Sequence, residues 1–353
     1  MLAAAPSAPM VAAVGGVHLI HGIEHRINKL AGTEELEGFS LKQMFSEVFK
    51  KRTEDELDDY FLAGTARTTP RIQDVQCGWP HPWFFMRVMF LVMTSYAILA
   101  IAFSQTNNPN LVPGLIVMGA FAMPLSVLFL FYELNTPRNV PFHGVLSMFC
   151  LGGVVSLFIT ILVVDPMLGM LNWMGASSAG ITEETSKLLT VILLVRRRKS
   201  NYILNGLVFG AAVGAGFGAF ESAGYAFRAA LQDVSAMNVS ILMRAALAPF
   251  MHVAWTAIAA AALWRSKGDQ PLGIKSFDFR FWKTLLIPMT LHIIWNSPFQ
   301  LPFFGTQVIV GLVGWYVVFG LTQQGLRQVR DAQLAASHVE LATAHEMAAA
   351  QAS

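Results

Sequence analysis

The sequence predicts an all-α polytopic membrane protein: a helix bundle of about eight spans with a small helical region at its N-terminus. Three observations predict it. Of 353 residues, 54% are hydrophobic and only 13% charged, about half the charged share of a soluble domain. Apolar runs of about 20 residues recur after Pro80, each long enough to cross a bilayer as a helix. Lys and Arg collect in alternate connecting segments, as the positive-inside rule requires.

Residues 1–80 are polar and read as a soluble cytoplasmic N-terminal region. Residues 2–20 are mildly apolar but lack a basic leader and are interrupted by Gly15-Gly16 and His18, so they do not read as a signal peptide. His18, His21, Glu24 and His25 share a helical face, where a solvated surface is favoured over a metal site. Leu41, Met44, Phe45, Val48 and Phe49 have the spacing of an amphipathic helix. Thr53 and Glu56 have the spacing of a capping box opening a helix that stops at Gly64. Cys77 and Cys150 are expected to be free.

The spans are expected at 83–104, 112–133, 142–164, 179–195, 202–228, 239–264, 282–299 and 302–321, forming a transmembrane unit over 81–322. A helical tail, 323–353, follows. The segments 134–141, 196–201 and 265–283 carry Arg138; Arg196, Arg197, Arg198 and Lys199; and Arg265, Lys267, Lys275, Arg280 and Lys283. The intervening segments 105–111, 165–178, 229–238 and 300–302 carry no Lys or Arg. Both termini are therefore expected in the cytoplasm. Trp83, Trp264 and Trp282 fall where an inner aromatic belt would lie. In the fifth span Gly206, Gly210, Gly214 and Gly218 form a smooth stripe that lets another helix approach closely.

Seven ionisable residues interrupt the later spans: Glu183, Glu184, Lys187, Glu221, Arg244, His252 and His292. A charge at a helix centre costs about 2.5–3.5 kcal/mol on insertion scales, so such residues mark function. Glu183 and Glu184 lie four and three residues before Lys187, so both carboxylates can reach its ammonium. Glu221 extends the glycine stripe, with Tyr225 one turn on. Arg244 and His252 read as two turns apart on one face of the sixth span, and His292 and Asn296 as i,i+4 on the seventh. At a rise of about 1.5 Å per residue, these groups lie roughly 14–27 Å from the inner boundary, a mean at or beyond mid-membrane.

Paired carboxylates, imidazoles and an amide suit peptide hydrolysis. A Glu can take a proton from water, and imidazole and amide can stabilise the oxyanion. Glu221, His252 and His292 could also bind Zn2+ with an open position for water; sequence leaves metal-free glutamic and zinc-dependent chemistry both open. No HExxH occurs in the spans, since His345-Glu346 precedes Met-Ala-Ala in the tail. Gly175-Ala176-Ser177-Ser178 lacks the second Gly of a GxSG motif, and Asp165, the one Asp candidate for aspartyl chemistry, sits at a span edge. A net charge of +2 and the absence of a recognition motif exclude a nucleic-acid partner.

Four blocks in order, Glu183-Glu184-Thr-Ser-Lys187, Phe217-Gly-Ala-Phe-Glu221 with Tyr225, Arg244 to Pro249-Phe-Met-His252, and His292-Ile-Ile-Trp-Asn296, resemble the PrsW family of intramembrane proteases. The resemblance covers roughly residues 85–322. That family belongs with a larger group containing type II CAAX prenyl endopeptidases and bacteriocin-processing enzymes. The wider group often has EExxxR and FxxxH where this chain has EExxK and FxxxE, which favours the PrsW branch. The resemblance implies a bacterial inner-membrane endopeptidase that cuts membrane-anchored, single-span proteins such as anti-sigma factors near the outer face. It assigns catalysis to Glu183, Glu184, Glu221, His252, His292 and Asn296, with Lys187, Arg244 and Tyr225 in support. Two other classes compete. A proton-coupled transporter would use the same buried charges, but matched inverted halves are not evident. A non-catalytic scaffold of the same fold would have let these motifs decay.

Overall fold

A computed structural model describes residues 22–195 and 200–352; the basic cluster Arg196–Lys199 and the pair His18 and His21 lie outside the described residues. Among the described residues the chain is helical with no strand. A short helix α1 (22–31) is followed by α2 (Leu41–Met44) and α3 (Glu54–Leu62). The bundle is α4 (Phe84–Thr106), α5 (Val112–Leu134), α6 (Phe142–Ile159), α7 (Ala179–Val195), α8 (Ile203–Ala230), α9 (Val234–Leu247), α10 (His252–Lys267), α11 (Phe279–Trp295) and α12 (Gly305–Ala352).

Six helical stretches are long and apolar enough to cross a membrane: Phe84–Thr106, Pro109–Leu134, Phe142–Met167, Ile203–Ala230, Val234–Lys267 and Pro302–Ala348. The other two expected segments form α7 and α11, each 17 residues and packed into the bundle. Helix α11 stops short of the expected 299 because Pro298 disfavours helical conformation in the residue before it.

The sixth segment is not one helix. Pro249 lacks an amide proton and crowds the preceding turn; the chain makes a 3-10 turn at Ala248–Phe250, and Met251 leaves the helical region (φ −116°, ψ −134°). His252 thus opens α10 while Arg244 stays on α9, so they do not share one helical face. In the N-terminal region only Leu41–Met44 is α-helical within 40–51. The Thr53–Glu56 capping box forms as expected. Helix α12 runs unbroken past residue 322. Trp264 is not in a lipid-facing belt: it is buried, with Nε1 donating to the Ser200 carbonyl at 3.0 Å. Cys77 and Cys150 are free thiols.

Helix α8 is the hub, because its glycines allow backbone-to-backbone contact on two sides. A Cβ on Gly210 would sit 2.2 Å from the Thr256 carbonyl oxygen, and one on Gly214 2.3 Å from that of His252. On the opposite side a Cβ on Gly216 would sit 2.0 Å from the Phe149 oxygen of α6. The stripe therefore seats α10, whose buried face is mostly alanine, directly on α8. The N-terminal region is docked on one end of the bundle. Arg265 and Thr284 donate to the carbonyls of Gly32 and Ala31, both at 2.9 Å. Glu133, near the end of α5, accepts the amides of Trp83, Phe84 and Phe85 at 2.7, 2.7 and 2.9 Å, capping α4.

Candidate active site

Four helices deliver the cluster. The i,i+3 spacing on α7 lets Lys187 Nζ bond Glu184 Oε1 at 2.6 Å, and the i,i+4 spacing puts it 3.6 Å from Glu183 Oε2. Lys187 and Glu184 are fully buried. The lysine also donates to His252 Nδ1 at 2.9 Å and lies over the Phe217 ring, 4.5 Å from its centroid. Removing such charges from water is costly unless they pair; here each has at least one hydrogen-bonded partner of opposite charge or an imidazole.

Each histidine is held by a carboxylate on the side facing away from Glu183. His252 Nε2 lies 3.1 Å from Glu221 Oε2, and His292 Nδ1 lies 2.9 Å from Glu184 Oε1. With those nitrogens donating, His252 Nδ1 and His292 Nε2 carry lone pairs. Both of these nitrogens lie 3.8 Å from Glu183 Oε2. That oxygen is buried and has no hydrogen-bond partner. Trp255 stacks on His292, 4.5 Å between centroids.

Glu221 ion-pairs with Arg244, whose Nε donates to Ser222 Oγ at 2.8 Å. The Arg244 guanidinium stacks on Tyr225, 4.3 Å from the ring centroid. The helix break at Pro249 is what lets Arg244 and His252 approach the same carboxylate from two helices. Asn296 is not in this network. It caps the C-terminus of α11, and its amide donates to the Ala176 carbonyl at 3.3 Å.

The residues whose ligating atoms converge to within 4.8 Å of one another are Glu183, His252 and His292. The trio expected from sequence had Glu221 in place of Glu183; the structure engages Glu221 with Arg244 and with the outer nitrogen of His252 instead. Sequence reading also passed over Thr256, whose hydroxyl reaches toward Glu184 Oε2 at 3.5 Å. Its place four residues after His252 was the available signal. Ser222 and Trp255 gave none. A cavity of about 230 Å³, lined by Asp165, Asn172, Ser178, Thr182 and Glu183 among others, opens onto the cluster. Glu183 is thus the cluster member that water reaches through this opening.

No curated protein and no solved structure matches the chain. The family model described as PrsW family intramembrane metalloprotease matches residues 140–322, from the turn before α6 through the first half of α12 and including every residue of the cluster. That match spans just over half of the 353 residues, and the chain belongs to the PrsW family of intramembrane proteases.

Proposed function

We propose that the protein is an endopeptidase hydrolysing a peptide bond of a membrane-anchored, single-span protein of the anti-sigma-factor kind, with Glu183 at the reacting centre. The observation that carries this is the Glu183 carboxylate: an unpartnered buried oxygen between two imidazole nitrogens, on a residue that also lines a polar cavity. Glu183 takes the proton of the attacking water and returns it to the leaving nitrogen. His252 and His292, oriented by Glu221 and Glu184, line the place where the oxyanion forms. Lys187 balances the paired glutamates, and Arg244 with Tyr225 fixes Glu221. Asn296 joins as a donor only if it leaves Ala176.

The same donor set, one carboxylate and two imidazoles with lone pairs turned inward, fits a divalent cation such as Zn2+. When bound, the ion supplies Lewis-acid polarisation of the scissile carbonyl. The loop charges favour a bacterial plasma-membrane protein with both termini in the cytoplasm.

The test uses purified protein and a single-span substrate. Glu183→Gln should lower the cleavage rate by about 10²-fold or more; cleavage equal to wild type overturns the assignment. Unchanged activity after exhaustive metal stripping removes the cation from the reading and leaves the glutamate.

A further inference from the structure

The largest cavity is not at the cluster. It measures about 460 Å³ and lies at the end of the bundle where the N-terminal region packs against the start of α4 and the end of α5. Seven buried side-chain polar atoms lack a hydrogen-bond partner among the described residues; two of them, on Glu183 and Trp255, belong to the cluster above. Four of the remaining five line this cavity: Arg52 Nε, Tyr60 Oη, Tyr132 Oη and Thr136 Oγ1. An unpartnered buried polar group costs about 1–3 kcal/mol, so four in one cavity make a site built for something polar.

All four can donate a hydrogen bond. Burial, with the Glu133 charge nearby, pushes the Tyr60 hydroxyl well above its ordinary range and keeps it a donor. The acceptors are largely committed. Glu133 takes three backbone amides, Glu56 takes Arg52 and the Thr53 amide, and Asp74 takes Arg71. Asp59 is the uncommitted carboxylate of the lining, and it is exposed to water. The guanidiniums of Arg52 and Arg138 add positive charge. A ligand rich in acceptor oxygens satisfies this lining; one rich in donors does not. The ends of α4 and α5 also put the cavity at the level of lipid headgroups.

We propose that this cavity binds a phosphoryl group, carried by a lipid headgroup or by a small soluble phosphate ester, with Tyr60, Tyr132, Thr136 and Arg52 as its donors. The ligand joins the N-terminal region to α5, since Arg52 and Tyr60 come from one and Tyr132 and Thr136 from the end of the other.

The experiment is thermal unfolding of the full chain in detergent, read by tryptophan fluorescence. One arm adds inorganic phosphate or glycerol 3-phosphate, another adds phosphatidic acid in mixed micelles, and chloride at equal ionic strength is the control. Wild type should gain stability in at least one arm, and the responding arm names the source. Tyr132→Phe and Thr136→Val should unfold at or above the wild-type temperature without probe, because each deletes an unpartnered hydroxyl. Both should weaken the response roughly tenfold in probe concentration. No stabilisation beyond chloride in either arm, an undiminished response in both variants, or variants that unfold several degrees lower without probe would overturn the proposal. The last result would mean fixed water already satisfies the hydroxyls.

Discussion

Replacing Gly214 with alanine tests how the glycine stripe sets the geometry of the cluster. The added Cβ would meet the His252 carbonyl oxygen at 2.3 Å, where ordinary contact begins near 3.4 Å. The obstacle is backbone, so no side chain can swing aside, and α10 must retreat by about 1 Å at its first residue. His252 is that residue. A shift of that size strains its 3.1 Å contact with Glu221 and its 2.9 Å contact with Lys187. Overpacking of this kind costs about 1–3 kcal/mol, and a misplacement of about 1 Å at a reacting centre can cost roughly 10²-fold in rate. Gly224 is the control. It lies on the same helix, but a Cβ there meets nothing within 4 Å, so Gly224→Ala should be neutral or stabilise by about 0.5–1 kcal/mol. The assay is paired: thermal unfolding, and cleavage of a single-span substrate. If Gly214→Ala unfolds with wild type and cleaves within about twofold of it, the claim that α8–α10 contact positions His252 is wrong.

Lys187→Met leaves Glu184 buried without its cation and should destabilise the protein by about 3–5 kcal/mol, the usual result of removing one partner of a buried pair; a loss under about 1 kcal/mol by denaturant unfolding would show that the pair is dispensable. The same variant, where it folds, should bind Zn2+ more tightly by equilibrium dialysis, because the ammonium no longer occupies the lone pair of His252 Nδ1. Thr53→Ala should cost about 1 kcal/mol through loss of the α3 capping box, checked by hydrogen exchange of the Glu56 amide. At Asp278, burial pushes the carboxyl up, but the Phe281 amide, the Ser266 hydroxyl and Arg280 together hold it below its ordinary value of 3.8. Its contribution is therefore intact above about pH 4 and lost as pH falls further; Asp278→Asn should flatten that acid limb in a plot of unfolding temperature against pH.

Much of the architecture follows from local pattern. Hydropathy located the helices because the bilayer demands long apolar runs whatever their neighbours. The capping box and the Glu184–Lys187 pair were legible because both are contacts within one helical turn. The glycine stripe was legible as a surface, although its partner was not. Proline was ambiguous: Pro124 and Pro288 sit inside continuous helices, whereas Pro249 ends one. Neighbouring helices decide whether the freed backbone groups are satisfied in place or the chain turns.

What the sequence determined by itself is the all-helical bundle, the charged residues buried in it, and the four blocks that mark the family. What only the tertiary structure decided is which carboxylate faces which imidazole. Glu183 and Glu184 are adjacent and chemically alike, yet one holds His292 from behind and the other stands between both rings. Glu221, expected beside the histidines, lies behind His252 and against Arg244. These assignments depend on helix rotation and on approach distances of tenths of an ångström, set by packing among α7, α8, α10 and α11, and no spacing along a single helix encodes them.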